Sequence, residues 1–155
     1  PRRGFNFVTK KIVTGLKRIK EGKQKRLILG NLYAKRDWGH AIDYVEAIWK
    51  ILQQKKADDY VISSGNQYSV KNFINITSSL LGIKIRWRGK GIKEKAYDQH
   101  GKCIIKVDKK YFRPNEVNTL LGNSLKARKQ LKWKPKFDIN KLIKDMINYE
   151  YFNDK

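Results

Sequence analysis

A single cysteine, Cys103, is all that the 155 residues contain. No internal disulfide can form, and the thiol stands in an apolar run (Cys103, Ile104, Ile105) that reads as a buried strand position. A reducing, cytoplasmic setting is the expectation. Histidine is almost as scarce: His40 and His100 lie far apart, give no metal-ligand spacing with one cysteine, and read as structural, so no metal site is expected. No apolar run approaches the length of a bilayer span and no signal peptide precedes the first helical stripe, so no membrane partner is expected. A dinucleotide-binding glycine fingerprint is missing too. Gly89-Lys90-Gly91 follows a strand pattern but opens no periodic helix, and no third glycine is correctly placed.

Acidic residues are also few, 14 against 36 lysines and arginines, for a formal charge of +22. Such an excess draws an anionic partner: nucleic acid, a membrane surface or a phosphorylated ligand. The cations run through the whole sequence without a basic block, so part of the charge is lysine filling exposed positions. Hydrophobic residues at 40% and aromatics at 12% exclude a disordered chain. The length fits one domain or a piece of a larger one. Beginning at Pro1, the chain is expected to be cut from something longer.

Periodicity organises what is there. Val8, Ile12, Leu16 and Ile19 form a helical stripe ended by Glu21-Gly22, and Lys11 shares an edge with Val8. Leu27 to Leu29 is a short strand ending at Gly30; Ile42, Val45, Ile48, Trp49 and Leu52 then recur at helical spacing, with Asp37 or Asp43 suited to the helix start. Tyr60 to Ser63 reads as a buried strand closed by Ser64-Gly65. Ser69 is placed to cap a helix through Val70, Phe73, Ile74, Thr77, Leu80 and Leu81, stopped by Gly82. Ile83, Ile85 and Trp87 alternate with Lys84 and Arg86 as a half-exposed strand; Gly89 to His100 reads as a loop or mobile hairpin. Cys103 to Val107 is a strand and Asp108 to Pro114 a turn; Asn123 or Ser124 caps a helix from Leu125 to Leu131 that Trp133-Lys134-Pro135 breaks. Asp138 caps the last helix, with Ile139, Leu142, Ile143, Met146 and Ile147 on its apolar face. Alternating helices and strands with short connections mean an α/β or α+β architecture.

The chemistry in this pattern is binding chemistry. Tyr151 and Lys155 have the Tyr-x-x-x-Lys spacing that can lower a phenol pKa, yet they fall on the last residues of the chain and read as coincidence. A dispersed group remains: Arg3, Lys11, Arg36, Arg113 and Glu116. Arg36 lies on a strand-to-helix loop, where a planar fork of donors can meet phosphate or carboxylate; otherwise Arg36 and Asp37 are a surface pair beside a packed Trp38. Arg113 and Glu116 bracket a proline turn able to grip a diphosphate and accept from a sugar hydroxyl, or they form a local salt bridge worth little.

Taken in order, Pro1-Arg2-Arg3-Gly4, Phe7 to Ile12, Leu29-Gly30-Asn31-Leu32, Arg36-Asp37-Trp38-Gly39-His40 and Asp43 to Ala47 resemble the GDP-mannose 4,6-dehydratase family. The likeness continues through Leu52-Gln53-Gln54, Asp59 to Ile62, Tyr68-Ser69-Val70, Tyr111-Phe112-Arg113-Pro114, Glu116-Val117, Leu120-Leu121-Gly122 and Trp133-Lys134-Pro135. The resemblance implies the C-terminal, substrate-binding part of an extended short-chain dehydrogenase with a Rossmann-like α/β fold. The glycine fingerprint and the catalytic Thr, Glu, Tyr and Lys would then lie before Pro1, and residues 41–65 would pack on the edge of the absent nucleotide-binding half. The implied reaction converts GDP-mannose to GDP-4-keto-6-deoxymannose, with hydride leaving C4 for NADP, water lost from C5 and C6, and hydride returned at C6. Residue by residue, Arg3 resembles a contact to NADP in a segment used between subunits, so a homo-oligomer, dimer or tetramer, is implied. Val8 and Lys11 resemble contacts to the GDP moiety, Arg36 and Arg113 the arginines on its diphosphate end, and Glu116 the acid that accepts from a hydroxyl. This chain departs from the pattern at Asn6, at Lys10, in its many lysines and in the Gly89 to Lys102 loop. The alternative, which charge alone favours, is a basic nucleic-acid-binding module.

Overall fold

The computed structural model describes residues 2–112 and 115–152. Helix α1 (Val8–Lys20) buries Ile12, Val13 and Leu16, and places Lys17, Arg18 and Lys20 in its last turn, where cations offset the negative helix end. Strand β1 (Leu27–Leu29) follows, then β2 (Lys35–Arg36) and helix α2 (Ala41–Leu52). Strand β3 (Tyr68–Ser69) runs directly into helix α3 (Val70–Leu80). There Ser69 and Asn72 form a reciprocal capping box, which fixes the helix start. Strands β4 (Arg86–Arg88), β5 (Lys95–Tyr97) and β6 (Cys103–Val107), then helices α4 (Leu125–Gln130) and α5 (Ile139–Phe152), complete the order.

Four strands form one sheet in the order β1-β6-β5-β4. β1 and β6 are parallel, with Leu27 opposite Ile105 and Leu29 opposite Val107, while β5 is antiparallel to both β6 and β4. Helices α1, α3 and α5 pack on one another against this sheet. The main core joins Ile12, Leu16, Phe73, Ile74, Ile104, Ile105 and Ile143, all fully buried. A buried Lys10–Glu150 ion pair, to which the Thr14 hydroxyl also donates, ties α1 to α5. A second, smaller core joins Ala47, Ala127, Leu131 and Trp133, with Tyr44, Ile51, Tyr60 and Ile62 around it.

The apolar stripe of α2 faces solvent: Ile42, Val45, Ile48, Trp49 and Leu52 are each more than half exposed. The opposite face packs, because small Ala47 admits the second core and Asp43 serves as its polar anchor. The Asp43 carboxylate accepts from Phe137 N at 3.0 Å and its carbonyl from Trp133 Nε1 at 2.9 Å. Asp43 lies in the first turn of α2, where its charge suits the positive helix end, and the N-cap is His40, whose Nδ1 accepts from Ile42 N. Tyr60 to Ser63 pairs with no strand among the described residues. The Gly89 to His100 stretch is no loop throughout: it holds a 3-10 turn and then β5, a central strand with Ala96 fully buried. Cys103 is half-buried at the start of β6.

Candidate functional site

In α/β sheets, ligands gather outside the carboxyl ends of parallel strands. Here the ends of β1 and β6 lead into two connectors that touch. Asp108 N donates to Leu29 O at 2.9 Å, and the backbone of Gly30 lies against the 3-10 turn Lys109–Tyr111. A Cβ at Gly30 would stand 2.2 Å from the Tyr111 carbonyl oxygen, so only glycine permits this approach. Lys11, on the edge of α1, extends its ammonium over the Tyr111 ring, 4.0 Å from the centroid. Burial pushes the Lys11 pKa below its ordinary value, as expected when a cation loses water. Val8, half-buried, lies one helical turn earlier on the same helix.

The connector from Gly30 to Arg36 is held on both sides. Leu32 O and Ala34 O accept from Lys71 N and Val70 N at the start of α3. β2 pairs antiparallel with β3, placing Arg36 opposite Tyr68. From the other side Lys35 N donates to Asn118 O and Leu120 N to Lys35 O. Arg36 is thus carried on a clamped backbone. Its Nη1 donates to Val117 O at 2.6 Å and Lys35 O at 2.8 Å, and its Nη2 lies 3.6 Å from a Glu116 carboxylate oxygen.

Beyond Arg36 a cleft opens past Asp37, Tyr44, Ser63, Leu121 and Gly122. Asp37 accepts from the backbone N–H groups of Ser64 and Gly65 at 3.0 and 2.8 Å, so it shapes the 64–65 turn and leaves Arg36 to another partner. Gly122 has no room for a Cβ, which would lie 2.5 Å from that of Ser63. The cleft continues into a hollow bounded by Gly65, Ser124 and Arg128, where Arg128 donates to Ser64 O and Ser124 Oγ. Burial, then the Asp37 and Asp43 charges, raises the Tyr44 phenol pKa.

The structure brings two predicted residues together, Arg36 and Glu116, 80 positions apart in the chain, while Asp37 is taken up by the 64–65 turn. Lys11 and Val8 flank the neighbouring Tyr111 turn. Arg113 and Lys155 lie outside the described residues. Arg3 is exposed, with its guanidinium 3.7 Å above the Phe7 ring, and contacts neither Arg36 nor Glu116. The Tyr151 ring lies beneath the Lys17 ammonium. His40 is structural as expected: buried, stacked on Phe137 and bonded through Nε2 to Asp145. Among the described residues there is no cluster that could hold a metal and no helix long and apolar enough to cross a membrane. Sequence reasoning missed Tyr44 and Arg128, which only the fold brings to the cleft, and the role of Asp37 as a turn anchor.

A family model described as GDP-mannose 4,6 dehydratase matches residues 1–146. GDP-mannose 4,6 dehydratase 2 of Caenorhabditis elegans is 49% identical over 147 residues, covering 95% of this chain and 38% of that protein. The Homo sapiens GDP-mannose 4,6 dehydratase is 44% identical over 149 residues, covering 96% of this chain and 40% of its own length. The chain therefore spans about two fifths of the relatives it matches. In fold it is similar to RMD from Pseudomonas aeruginosa complexed with NADPH, at TM-score 0.76 and 19% identity over 96% of this chain and 43% of that one. It is also similar to dTDP-glucose 4,6-dehydratase from Bacillus anthracis in complex with NAD, at TM-score 0.73 and 19% identity over 99% of this chain and 41% of the other. None of these observations favours a nucleic-acid-binding module.

Proposed function

Because the chain belongs to the GDP-mannose 4,6 dehydratase family, we propose that it is the nucleotide-sugar-binding portion of a hydro-lyase converting GDP-mannose to GDP-4-keto-6-deoxymannose. The observation that carries this reading is the Arg36–Glu116 pairing on a clamped connector. It couples a guanidinium fork suited to a diphosphate with a carboxylate able to accept from sugar or ribose hydroxyls. Lys11 and Val8 supply the wall on the α1 side, and Arg113 a second cation for the diphosphate. The chain's own task is to bind and orient. Arg36 Nη1 is already spent on backbone carbonyls, so the guanidinium is fixed before ligand arrives, with Nη2 and Nε the donors left to meet it. Glu116, 3.6 Å from that guanidinium, stands ready to accept from a hydroxyl.

NADP is the proposed cofactor; when bound it takes up and returns a hydride. Arg3 fits a role toward it, since it is exposed and its guanidinium is held 3.7 Å above the Phe7 ring, which orders the side chain ahead of an anionic partner. The nucleotide-binding half is proposed to cover the α2 face, where Ile42, Val45, Ile48, Trp49 and Leu52 lie bare. Apolar exposure on this scale marks a contact surface. A cytoplasmic homo-oligomer, dimer or tetramer, completes the reading.

The test is GDP-mannose turnover by the complete enzyme supplied with NADP, with mass spectrometry reading the loss of one water and formation of a C4 ketone. An enzyme that binds GDP-mannose but releases no dehydrated product would overturn the assignment.

A further inference from the structure

Tyrosines at a protein surface ordinarily bury the ring and leave the hydroxyl in water. Tyr33 does the reverse. The residue is 52% exposed, yet its hydroxyl donates to the buried Glu94 at Oε2, 2.6 Å away. Glu94 is only 1% exposed, and its other oxygen accepts from Lys71 Nζ at 2.5 Å. The carboxylate is therefore a paired buried charge, which gives the phenol an acceptor stronger than water. Held protonated by this hydrogen bond first and by burial second, the Tyr33 phenol has a raised pKa. The Lys71 ammonium lies between the Trp87 ring, 4.8 Å from its centroid, and the Tyr33 ring at 5.8 Å. An exposed aromatic side chain is thus fixed in place by its far end.

Its position gives this purpose. Tyr33 stands midway along the Gly30 to Arg36 connector that leaves the carboxyl end of β1. Its backbone N–H donates to Asn31 Oδ1 at 2.9 Å, and its neighbours Leu32 and Ala34 are buried and bonded to the start of α3. Glu94 immediately precedes β5, which runs antiparallel to β6, and Val107 N donates to Glu94 O. Glu94 therefore belongs to the same edge of the sheet as Gly30 and Tyr111. The ring is held in place and half exposed, with the Lys71 ammonium to one side, and its open part suits a flat partner.

We propose that Tyr33 is a stacking platform for the purine base of the bound nucleotide, with Glu94 the positioning residue that fixes the ring. The inference rests on the nucleotide-sugar reading and extends it to how the base is held. Stacking needs the ring in one orientation before ligand arrives, because an ordered side chain loses less entropy on binding. The Glu94–Tyr33 bond supplies that order, and the diphosphate end remains the task of Arg36.

The experiment is calorimetric titration of the complete enzyme with GDP and, separately, with inorganic pyrophosphate. Tyr33→Ala weakens GDP binding by at least about fivefold, the loss expected for one base–aromatic stack, and leaves pyrophosphate binding unchanged. Tyr33→Phe keeps the ring and binds GDP more tightly than Tyr33→Ala. Tyr33→Leu, which keeps apolar bulk without planarity, behaves like Tyr33→Ala and stands in for it if the alanine variant fails to fold. Glu94→Gln raises KM for GDP-mannose with kcat nearly unchanged. Equal losses for GDP and pyrophosphate would show a merely structural role and overturn the platform, as would an unchanged GDP affinity in Tyr33→Ala. A wild-type enzyme that binds neither GDP nor GDP-mannose would instead overturn the nucleotide-sugar reading on which the platform depends.

Discussion

Replacing Arg36 by alanine is the most direct test of the site, and its cost can be worked from the geometry. Nη1 is committed to the carbonyls of Val117 and Lys35, while Nη2 is 3.6 Å from Glu116, beyond good hydrogen-bond range. The donors left for a ligand are Nη2 and Nε. A hydrogen bond between charged groups contributes about 1.5–3 kcal/mol, which is roughly a tenfold to hundredfold change in Kd. Deletion also leaves the Glu116 carboxylate beside the diphosphate without its cation, adding repulsion in the same direction. The stability cost is small by comparison: both side chains are about a quarter exposed, and pairs of that kind contribute about 0–1 kcal/mol. Arg36→Lys keeps the charge without the fork and falls between wild type and alanine. Titration of each variant of the complete enzyme with GDP reads these differences, and they shrink as salt screens the charges. An Arg36→Ala affinity within a factor of about two of wild type would remove Arg36 from the site.

Glu150→Ala removes the buried carboxylate that Lys10 and Thr14 share between α1 and α5 and is expected to cost about 3–5 kcal/mol, as for other broken buried pairs; a shift of thermal midpoint below that of a conservative surface variant checks it. Trp49→Asp on the bare face of α2 is expected to leave the fold of this chain intact, by circular dichroism, while abolishing its association with a separately expressed nucleotide-binding half. Retained association would refute the proposed docking face. Hydrogen bonds from Lys136 and then Lys50 hold the Glu46 carboxyl below its ordinary pKa. The folded state thus binds this proton less tightly than the unfolded one, so the contribution is present above the ordinary carboxylate range and fades as pH falls through the lowered value. Urea midpoints of Glu46→Gln should match wild type in strong acid and fall slightly below it at neutral pH.

Local signals determined much of this protein. Helical stripes such as Ile12–Leu16–Ile19 and Ile139–Ile143–Ile147, the Ser69 cap and the Gly82 stop act within a few residues, and so does the β-branched run of β6. The order of motifs likewise led to the family. Tertiary structure decided what sequence spacing leaves open. Periodicity marks an apolar face on α2 without saying what covers it, and the described residues choose the opposite face because Ala47 and Asp43 find partners in Trp133 and Phe137. The strand at Lys95–Tyr97 hides in a polar stretch since only Ala96 points into the core. Arg36 and Glu116 meet through two connectors far apart in the chain, and Tyr33 acquires its anchor from a buried glutamate that no local pattern ties to it. Such contacts depend on which strand ends lie side by side, a property of the folded sheet that no window of sequence contains.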